Sequence, residues 1–500
     1  FMDIQWTQLT QIKTLHVYGP TTQPTAGIVY DSRDVQHQFA FFCIIGEETD
    51  GHLYIDEAIQ NGATTIVGSD KVTIEKYASL HSNISFVLVR DSREALAYTA
   101  IEFNHNASDK LFKVGVTGTN GKTTVATYVR NLFNLLGLPC GMLGTNGIFT
   151  SKEVLHIKKS TPTTPMSSDV QAIFSELLTR GDKAAAMEVS SIALDQYRVA
   201  GFEFDVAIHT NISEEHMEYH KTFNHYKMCK LRLFTQAKAS VVNLEDEGMS
   251  KDIIQVVQGS LLTYSSNKDS QADLIWTNIN HLADGMSFDL LYKGQSHQIR
   301  IPIYGEYNVG NLVSAICAAL FAGIPLDKIL MILPKMQQVD GRFQVIHGPD
   351  DRIIVLDYAH TPVALEAIMR AVKKLPHERL ITLITGIGIR DFAKMPKMAK
   401  TAEGKAEVLV VSVDHPGDND PWTVVDAVLK GFQVPYLQEV LTAPSRHEAV
   451  IKALETSKPG DIVLLTSGCI NGAQIVRGEY IPHSDEDIIH DFFYNTKLSV

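Results

Sequence analysis

An α/β fold with three domains, a central doubly wound parallel sheet carrying a phosphate loop between smaller N-terminal and C-terminal α/β domains, is predicted by three observations. At residues 113–125, KVGVTGTNGKTTV, an apolar run ends in a Gly-rich turn and reopens as an apolar helical pattern. Short strand-like runs alternate with helical stretches along the chain, the order that builds parallel sheets with helical crossovers. Many of these runs end in polar residues, at the edge where open α/β sheets bind ligands.

The 500 residues, 45% hydrophobic and 20% charged, describe an ordinary globular chain, and the length suggests about three domains. The soft boundaries fall at 1–106, 107–343 and 344–500, with no internal repeats or low-complexity linkers. A formal net charge of −13 argues against nucleic acid or an anionic membrane as partner, since either would need a basic stripe. Cys43, Cys140, Cys229, Cys317 and Cys469 are scattered and lack C-x-x-C pairing, which fits a reducing compartment with no disulfide framework or zinc site. No apolar run reaches the roughly 20 residues that span a bilayer, and the first residues lack the basic and apolar regions of a signal peptide. A cytoplasmic chain without membrane insertion, acting as a monomer, is the expectation.

In the first segment the runs GIVYDSR, FAFFCII, ATTIVGS and ISFVLV alternate with helical stretches. Asp31, Ser32 and Arg33 end the first of these; taken alone, they read as a surface turn. The second segment opens on the phosphate loop. Its glycines let backbone N–H groups converge on phosphate oxygens, Lys122 adds a point charge, and the Thr123 hydroxyl can ligate the Mg²⁺ that escorts the phosphates. The strict Walker spacing wants glycine where Val116 stands; Gly118 and a tight Asn120-Gly121 turn compensate. Gly118, Thr119, Asn120, Gly121, Lys122, Thr123 and Thr124 are therefore the expected ATP cradle.

Further along, TPTTP at 161–165 is a rigid turn bearing Thr163 and Thr164. AAAMEVSSIALDQYRV puts Glu188 at a strand end, followed by Ser190, Ser191, Gln196 and Arg198. FDVAIHTNISEEHMEYH ends in Asn211 and a cluster of acids with His216. HYKMCKLRLF places Tyr226 and Lys230 on one helical face at i, i+4. Carboxylate and imidazole near a phosphate loop are ligand types that complete an Mg²⁺ shell; each also has a plainer reading, as a helix cap or a solvated face. Asn308 and Asn311 head an apolar helix, where asparagine is commonly a cap, and Gly341-Arg342 marks a boundary. In the third segment four buried-type strands would align Asp357, Tyr358, His360, Arg390, Asp391, Asp414, His415 and Asn419 along one carboxyl edge.

Assembled, TGTNGKTT, TTP, EVSS with RV, TNIS with HMEYH, YKMCK, EYNVGN, GR and DYAHTP resemble, in order and spacing, the Mur ligases, ATP-dependent amide-bond ligases of peptidoglycan precursor synthesis. Within that family the chain is similar to the MurE branch, which adds the third amino acid to UDP-N-acetylmuramoyl-L-alanyl-D-glutamate. The resemblance implies that ATP phosphorylates the D-glutamyl carboxylate and that an amine attacks the acyl phosphate. It further implies that Lys122 holds the ATP phosphates, that Thr123 and Glu188 ligate one Mg²⁺, and that His216 ligates a second. Lys230 matches the family lysine that is carbamylated, although on its own it reads as a solvated helical lysine. By the same resemblance Asn308 and Asn311 lie on the adenine side, Arg342 on the phosphate side, and Asp357 with Tyr358 near the ribose or hinge. Ser32, Thr163, Thr164, Ser190, Gln196 and Arg198 match positions that hold the UDP-muramoyl-dipeptide.

Departures from the family bear on the incoming amine. Diaminopimelate-adding members carry a DNPR motif whose arginine pairs the distal carboxylate, whereas this chain has Asp414, His415, Pro416 and Gly417. A second carboxylate left unpaired in a buried pocket is costly, so L-lysine is expected first and L-ornithine second. His360, Arg390, His415 and Asn471 are expected around the amino acid, Arg390 near its α-carboxylate, with Asp414 as candidate partner for an ammonium group. Gly468 and Asn471 stand where lysine and glutamate are usual, and Ile192 where histidine is usual. These departures keep two alternatives open: a Mur-type ligase using another amine, and a nucleotide-binding paralogue without catalysis.

Overall fold

The computed structural model describes residues 1–157, 161–212, 220–434, 437–468 and 472–495. His216 and Asn471 lie outside the described residues. Two compact units divide the chain: one comprises 1–275, 291–295 and 311–332, the other 276–290, 296–310 and 333–500. No helix among the described residues is long and apolar enough to cross a membrane.

The first unit contains two large sheets and a short antiparallel pair, Met2–Gln5 with Thr22–Thr25. A five-stranded sheet has the order Thr14–Tyr18, Ser85–Val89, Thr65–Gly68, Phe39–Phe42, Gly27–Val29. Its first pair is antiparallel and the others are parallel. The larger sheet has a parallel core in the order Cys140–Gly144, Ala184–Glu188, Phe112–Thr117, Phe204–His209, Ala237–Asn243, Ser260–Ser265. Phe112–Thr117, the strand before the phosphate loop, lies between two parallel neighbours, and the helices Lys122–Leu135 and Phe223–Thr235 pack against it. Its near-continuous apolar run reflects that burial. The helix that follows, Lys122–Leu135, buries Val125, Val129, Leu132 and Phe133 completely. These positions fall at i, i+4, i+7 and i+8, one stripe of a 3.6-residue helix, and each contributes about 1.5–3 kcal/mol on burial. The loop between strand and helix is thereby held from both ends.

The second unit holds a six-stranded sheet ordered Gln344–His347, Ile353–Asp357, Ile462–Thr466, Leu380–Ile387, Val408–Asp414, Glu439–Thr442. Only the first strand runs antiparallel. Alternate residues of Val408–Asp414 serve two cores. Leu409, Val411 and Val413 pack with helices Pro362–Val372, Met395–Ala402 and Pro421–Leu429, while Val408 and Val410 pack with Arg446–Thr456 and Asp485–His490. Three strands of this sheet end at Asp357, Ile387 and Asp414, so the polar residues expected along one edge do share it. A hairpin that the sequence pattern did not signal, Ala473–Val476 with Glu479–Pro482, is tied to Gly417 through main-chain bonds from Gly417 N–H to Ile475 and from Arg477 N–H to Gly417.

Candidate active site around the phosphate loop

Gly118 and Gly121 adopt φ values of +153° and +89°. A Cβ on Gly118 would collide with Thr210 Oγ1, so glycine is required there for close approach as well as conformation. The loop rests on the end of the neighbouring strand: Thr119 N–H donates to the Asn211 carbonyl at 2.6 Å, and Asn120 N–H donates to Asn211 Oδ1 at 3.0 Å. Thr210 Oγ1 donates to the Asn120 carbonyl at 2.6 Å. Lys122 Nζ folds back to the Gly118 carbonyl at 2.6 Å. Thr123 and Thr124, both buried, form the first turn of the helix.

Glu188 ends its strand 1% exposed. It accepts hydrogen bonds from Thr123 Oγ1 at 2.8 Å, Thr145 N–H at 2.7 Å and Thr145 Oγ1 at 3.0 Å. Gly144 leaves the room, since a Cβ there would collide with Glu188 Oε2. Thr145 carries no motif signature in the sequence; its position beside Glu188 comes from the parallel pairing of Cys140–Gly144 with Ala184–Glu188. A hydroxyl and a buried carboxylate 2.8 Å apart beside a phosphate loop are hard oxygen donors, and they fit Mg²⁺.

Lys230 is 1% exposed, with Nζ 4.6 Å from the centroid of the Tyr226 ring. The plainer reading of a solvated helical lysine is thus overturned: the helix Phe223–Thr235 turns this face inward. Tyr226 OH stands 3.1 Å from Thr119 Oγ1, linking that face to the loop. Asn311 brings Oδ1 within 3.1 Å of where a Gly121 Cβ would stand.

Thr164 joins the Glu188 strand to the next cleft. Its hydroxyl donates to the Glu188 carbonyl at 2.9 Å and accepts from Ser190 N–H at 3.1 Å, while its carbonyl accepts from Arg198 Nη1 at 2.9 Å. Thr163, held at φ +64°, places its hydroxyl 3.3 Å from Thr145 Oγ1. Ser190 Oγ accepts from Ala193 N–H and so caps the helix Ser191–Asp195. Gln196 Oε1 accepts from both Arg198 Nη2 at 3.0 Å and Arg93 Nη1 at 3.1 Å. Ser32, Gln196 and Arg198 line a cleft of about 660 Å³ together with Arg33 and Arg93. Arg93 and Arg198 bring guanidinium groups that suit an anionic ligand, whereas Arg33 is paired with Asp31 at 2.7 Å, which lines the same cleft. Arg93 escaped the sequence reading because it sits in an ordinary helical stretch, and only the fold brings it to Gln196.

In the second unit, Asn308 Nδ2 donates to the Tyr304 carbonyl at 2.8 Å. Asp357 accepts from Phe343 N–H and Ala359 N–H, each at 2.9 Å. Burial pushes its carboxyl above the ordinary value, against the opposing pull of those N–H groups and Arg342. The Arg342 guanidinium lies 5.7 Å from the Tyr358 ring, and its buried Nε has no hydrogen-bond partner among the described residues. Gly341, at φ +67°, allows the Tyr358 ring to pass where a Cβ would collide. His360 and Arg390 line a smaller cleft of about 190 Å³ with Thr385 and Lys394.

Asp414 requires a correction. Its carboxylate is completely buried and faces Arg446 Nη1 at 3.1 Å, Thr385 Oγ1 at 2.6 Å and Gln474 Nε2 at 3.0 Å. Arg446, itself 1% exposed, also binds Asp485 through Nε at 3.0 Å and Nη2 at 2.7 Å. A carboxylate already neutralised by a buried guanidinium has no place for a substrate ammonium. Arg446 lies 32 residues further along the chain, in a helix that gave no motif. His415, at φ +44°, accepts from Ile475 N–H at Nδ1, and burial lowers its pKa.

Residues 24–104, 116–319 and 341–469 match, respectively, the catalytic domain of the Mur ligase family, the Mur ligase middle domain, and the Mur ligase glutamate ligase domain. A UDP-N-acetylmuramoyl-L-alanyl-D-glutamate–2,6-diaminopimelate ligase of Clostridium tetani is 32% identical over 469 residues, covering 93% of this chain and 94% of that protein. Its counterpart in Caldanaerobacter subterraneus is 33% identical over 479 residues, covering 95% and 96%. A solved structure of a UDP-N-acetylmuramoyl-L-alanyl-D-glutamate–2,6-diaminopimelate ligase superposes with a TM-score of 0.70 at 25% identity, covering both chains completely. The fold is shared as well with a MurF ligase from Thermotoga maritima in complex with ADP, at TM-score 0.61 and 19% identity over 89% of this chain and 94% of that one. The chain belongs to the Mur ligase family, in its MurE branch.

Proposed function

We propose that the chain is an ATP-dependent ligase that joins L-lysine to the D-glutamyl carboxylate of UDP-N-acetylmuramoyl-L-alanyl-D-glutamate through an acyl phosphate. The observation that carries the reading is the convergence of Lys122, Thr123, Glu188, Tyr226 and Lys230 on one loop. An amine and a carboxylate do not condense in water without activation, so the γ-phosphate of ATP goes to the carboxylate and leaves when the amine attacks. The protein contributes position and charge neutralisation. The N-terminus of the helix Lys122–Leu135 presents its first N–H groups to the phosphates, and Lys122 exchanges the Gly118 carbonyl for a phosphate oxygen. Gly118, Thr119, Asn120, Gly121 and Thr124 shape that cradle. Mg²⁺, when bound, supplies charge neutralisation at the phosphates. Thr123 and Glu188 would hold one such ion; His216, outside the described residues, and Lys230 as its carbamate would hold a second. Carbamylation suits a buried lysine, because it replaces a cation with an anionic oxygen ligand.

Asn308 and Asn311 serve the adenine side, Asp357 and Tyr358 the ribose, and Arg342 a phosphate, consistent with its unpartnered Nε. Ser32, Thr163, Thr164, Ser190, Gln196 and Arg198 hold the UDP-muramoyl-dipeptide along the cleft that Arg93 and Arg198 line. His360, Arg390, His415 and Asn471 surround the incoming amino acid. The preference for lysine rests on Gly417, which provides no side-chain cation for a second carboxylate.

A second reading, addition of meso-diaminopimelate, is favoured by the names of the relatives and by Arg477, whose exposed residue is bonded through its main chain to Gly417. Phosphate release measured over a panel of amino acids decides the matter. Turnover that requires ATP, the UDP-dipeptide and lysine together is expected. Equal or greater turnover with diaminopimelate would sink the lysine assignment, and none with any amine despite tight UDP-dipeptide binding would point to the non-catalytic paralogue.

A further inference from the structure

The helix Phe223–Thr235 carries His225 and Cys229 one turn apart, and His225 Nε2 lies 3.6 Å from Cys229 Sγ. His220, just ahead of that helix, brings Nδ1 to 3.9 Å from the same sulfur. Asp195, at the end of the helix Ser191–Asp195, places Oδ1 3.7 Å from the sulfur and 3.6 Å from His225 Nε2. The ligand atoms of His220, His225 and Cys229 all lie within 4.8 Å of one another.

The separations of 3.6–3.9 Å around the sulfur, and the 3.6 Å between Asp195 and His225, are close to those of a tetrahedral metal shell. With Zn–S near 2.3 Å and Zn–N near 2.0–2.1 Å, tetrahedral sulfur and nitrogen ligands stand roughly 3.6 Å apart. Hydrogen bonds can join the same groups, with Cys229 S–H donating to Asp195 and imidazole N–H donating to the sulfur, so it is the metal titration that separates the two accounts. A further contact orients the cluster: His220 Nε2 is 2.8 Å from Ser191 Oγ. That bond leaves Nδ1 facing the sulfur, as outer hydrogen bonds do for ligating imidazoles. Two imidazoles, a thiol and a carboxylate select a borderline-soft ion such as Zn²⁺ over Mg²⁺ or Ca²⁺.

We propose that His220, His225, Cys229 and Asp195 form a Zn²⁺ site that clamps the helix Phe223–Thr235 to the helix Ser191–Asp195. On binding, the Cys229 thiol gives up its proton to solvent and coordinates as thiolate. Cys229 directly precedes the buried Lys230, so the clamp fixes the helix that presents Lys230 and Tyr226 to the phosphate loop. The site stands apart from the assignment of the amine, and from any role of Lys230 itself. Spacing among cysteines pointed away from zinc because three of the four proposed ligands are not cysteines, and Asp195 comes from another helix.

The test is a titration of the metal-free full chain with Zn²⁺ alone, at saturating Mg²⁺ and against a chromophoric chelator. One Zn²⁺ per chain is expected. Its affinity should fall at least about tenfold in Cys229→Ser, in His225→Ala and in Ser191→Ala. With Co²⁺ as probe, a thiolate-to-metal charge-transfer band should appear in the unmodified chain and vanish in Cys229→Ser. His225, with 43% of its side chain exposed, can be removed without a core defect, so that variant keeps the test readable. Absence of stoichiometric Zn²⁺ binding, or binding that is unchanged in both His225→Ala and Cys229→Ser, overturns the proposal.

Discussion

At the end of the strand Ala184–Glu188, a buried carboxylate accepts three hydrogen bonds from the neutral donors of Thr123 and Thr145. At the end of the strand Val408–Asp414, another buried carboxylate faces the guanidinium of Arg446. Both acids finish parallel strands, at the edge where α/β sheets bind ligands. The first keeps its charge available for a cation; the second has spent it inside the protein. Position at a strand end therefore does not distinguish a binding carboxylate from a structural one. The neighbours supplied by distant segments do.

Four experiments would break or sharpen that comparison. The largest effect is expected from Lys230→Ala, which should lower ligation on the order of 10³-fold and regain part of it with bicarbonate or acetate in steady-state phosphate release; undiminished activity would remove Lys230 from the site. Next, Asp414→Asn should destabilise the second unit by about 1–3 kcal/mol in urea unfolding, because it removes one of the two carboxylates that face Arg446 and leaves only Asp485 as its counter-charge. If Asp414→Asn instead unfolds normally and loses lysine affinity, the structural reading of Asp414 is wrong. Glu188→Gln keeps the shape of the side chain and should leave the unfolding midpoint nearly unchanged while ligation falls about 10²-fold. A Glu188→Gln protein that melts early yet turns over normally would erase the contrast.

The smallest effect concerns pH. Burial pushes the Asp485 carboxyl up, but Arg446 and His483 outweigh it and hold it well below its ordinary value of 3.8. A carboxylate with a depressed folded pKa contributes stability that is fully present above about pH 4 and is lost as pH falls toward the folded value. Unfolding midpoints measured from pH 7 to pH 3 should therefore decline at the acid end, and Asp485→Asn should flatten that decline. An unchanged acid limb would separate Asp485 from the Arg446 network.

The fold was legible because its signals are local. The apolar strand, the glycine turn and the 3.6-residue stripe of Lys122–Leu135 lie within two dozen residues, and the family motifs repeat that order along the chain. Glu188, Thr164, Gln196 and Arg198 were singled out for the same reason. Thr145, Arg93 and Arg446 were not, since a threonine after a strand or an arginine in a helix has no distinguishing spacing. Lys230 shows the limit in a different way: its i, i+4 relation to Tyr226 was visible, but which face of the helix is buried was not.

By itself the sequence determined the α/β alternation, the phosphate loop and the family, because these rest on contiguous patterns of polarity and glycine. Only the tertiary structure decided which charges remain available for ligands. It set Arg446 against Asp414, Tyr226 against Thr119, and Asp195 against Cys229 and His225. Charge compensation depends on distances of a few ångströms between segments far apart in the chain, and no one-dimensional spacing encodes those distances.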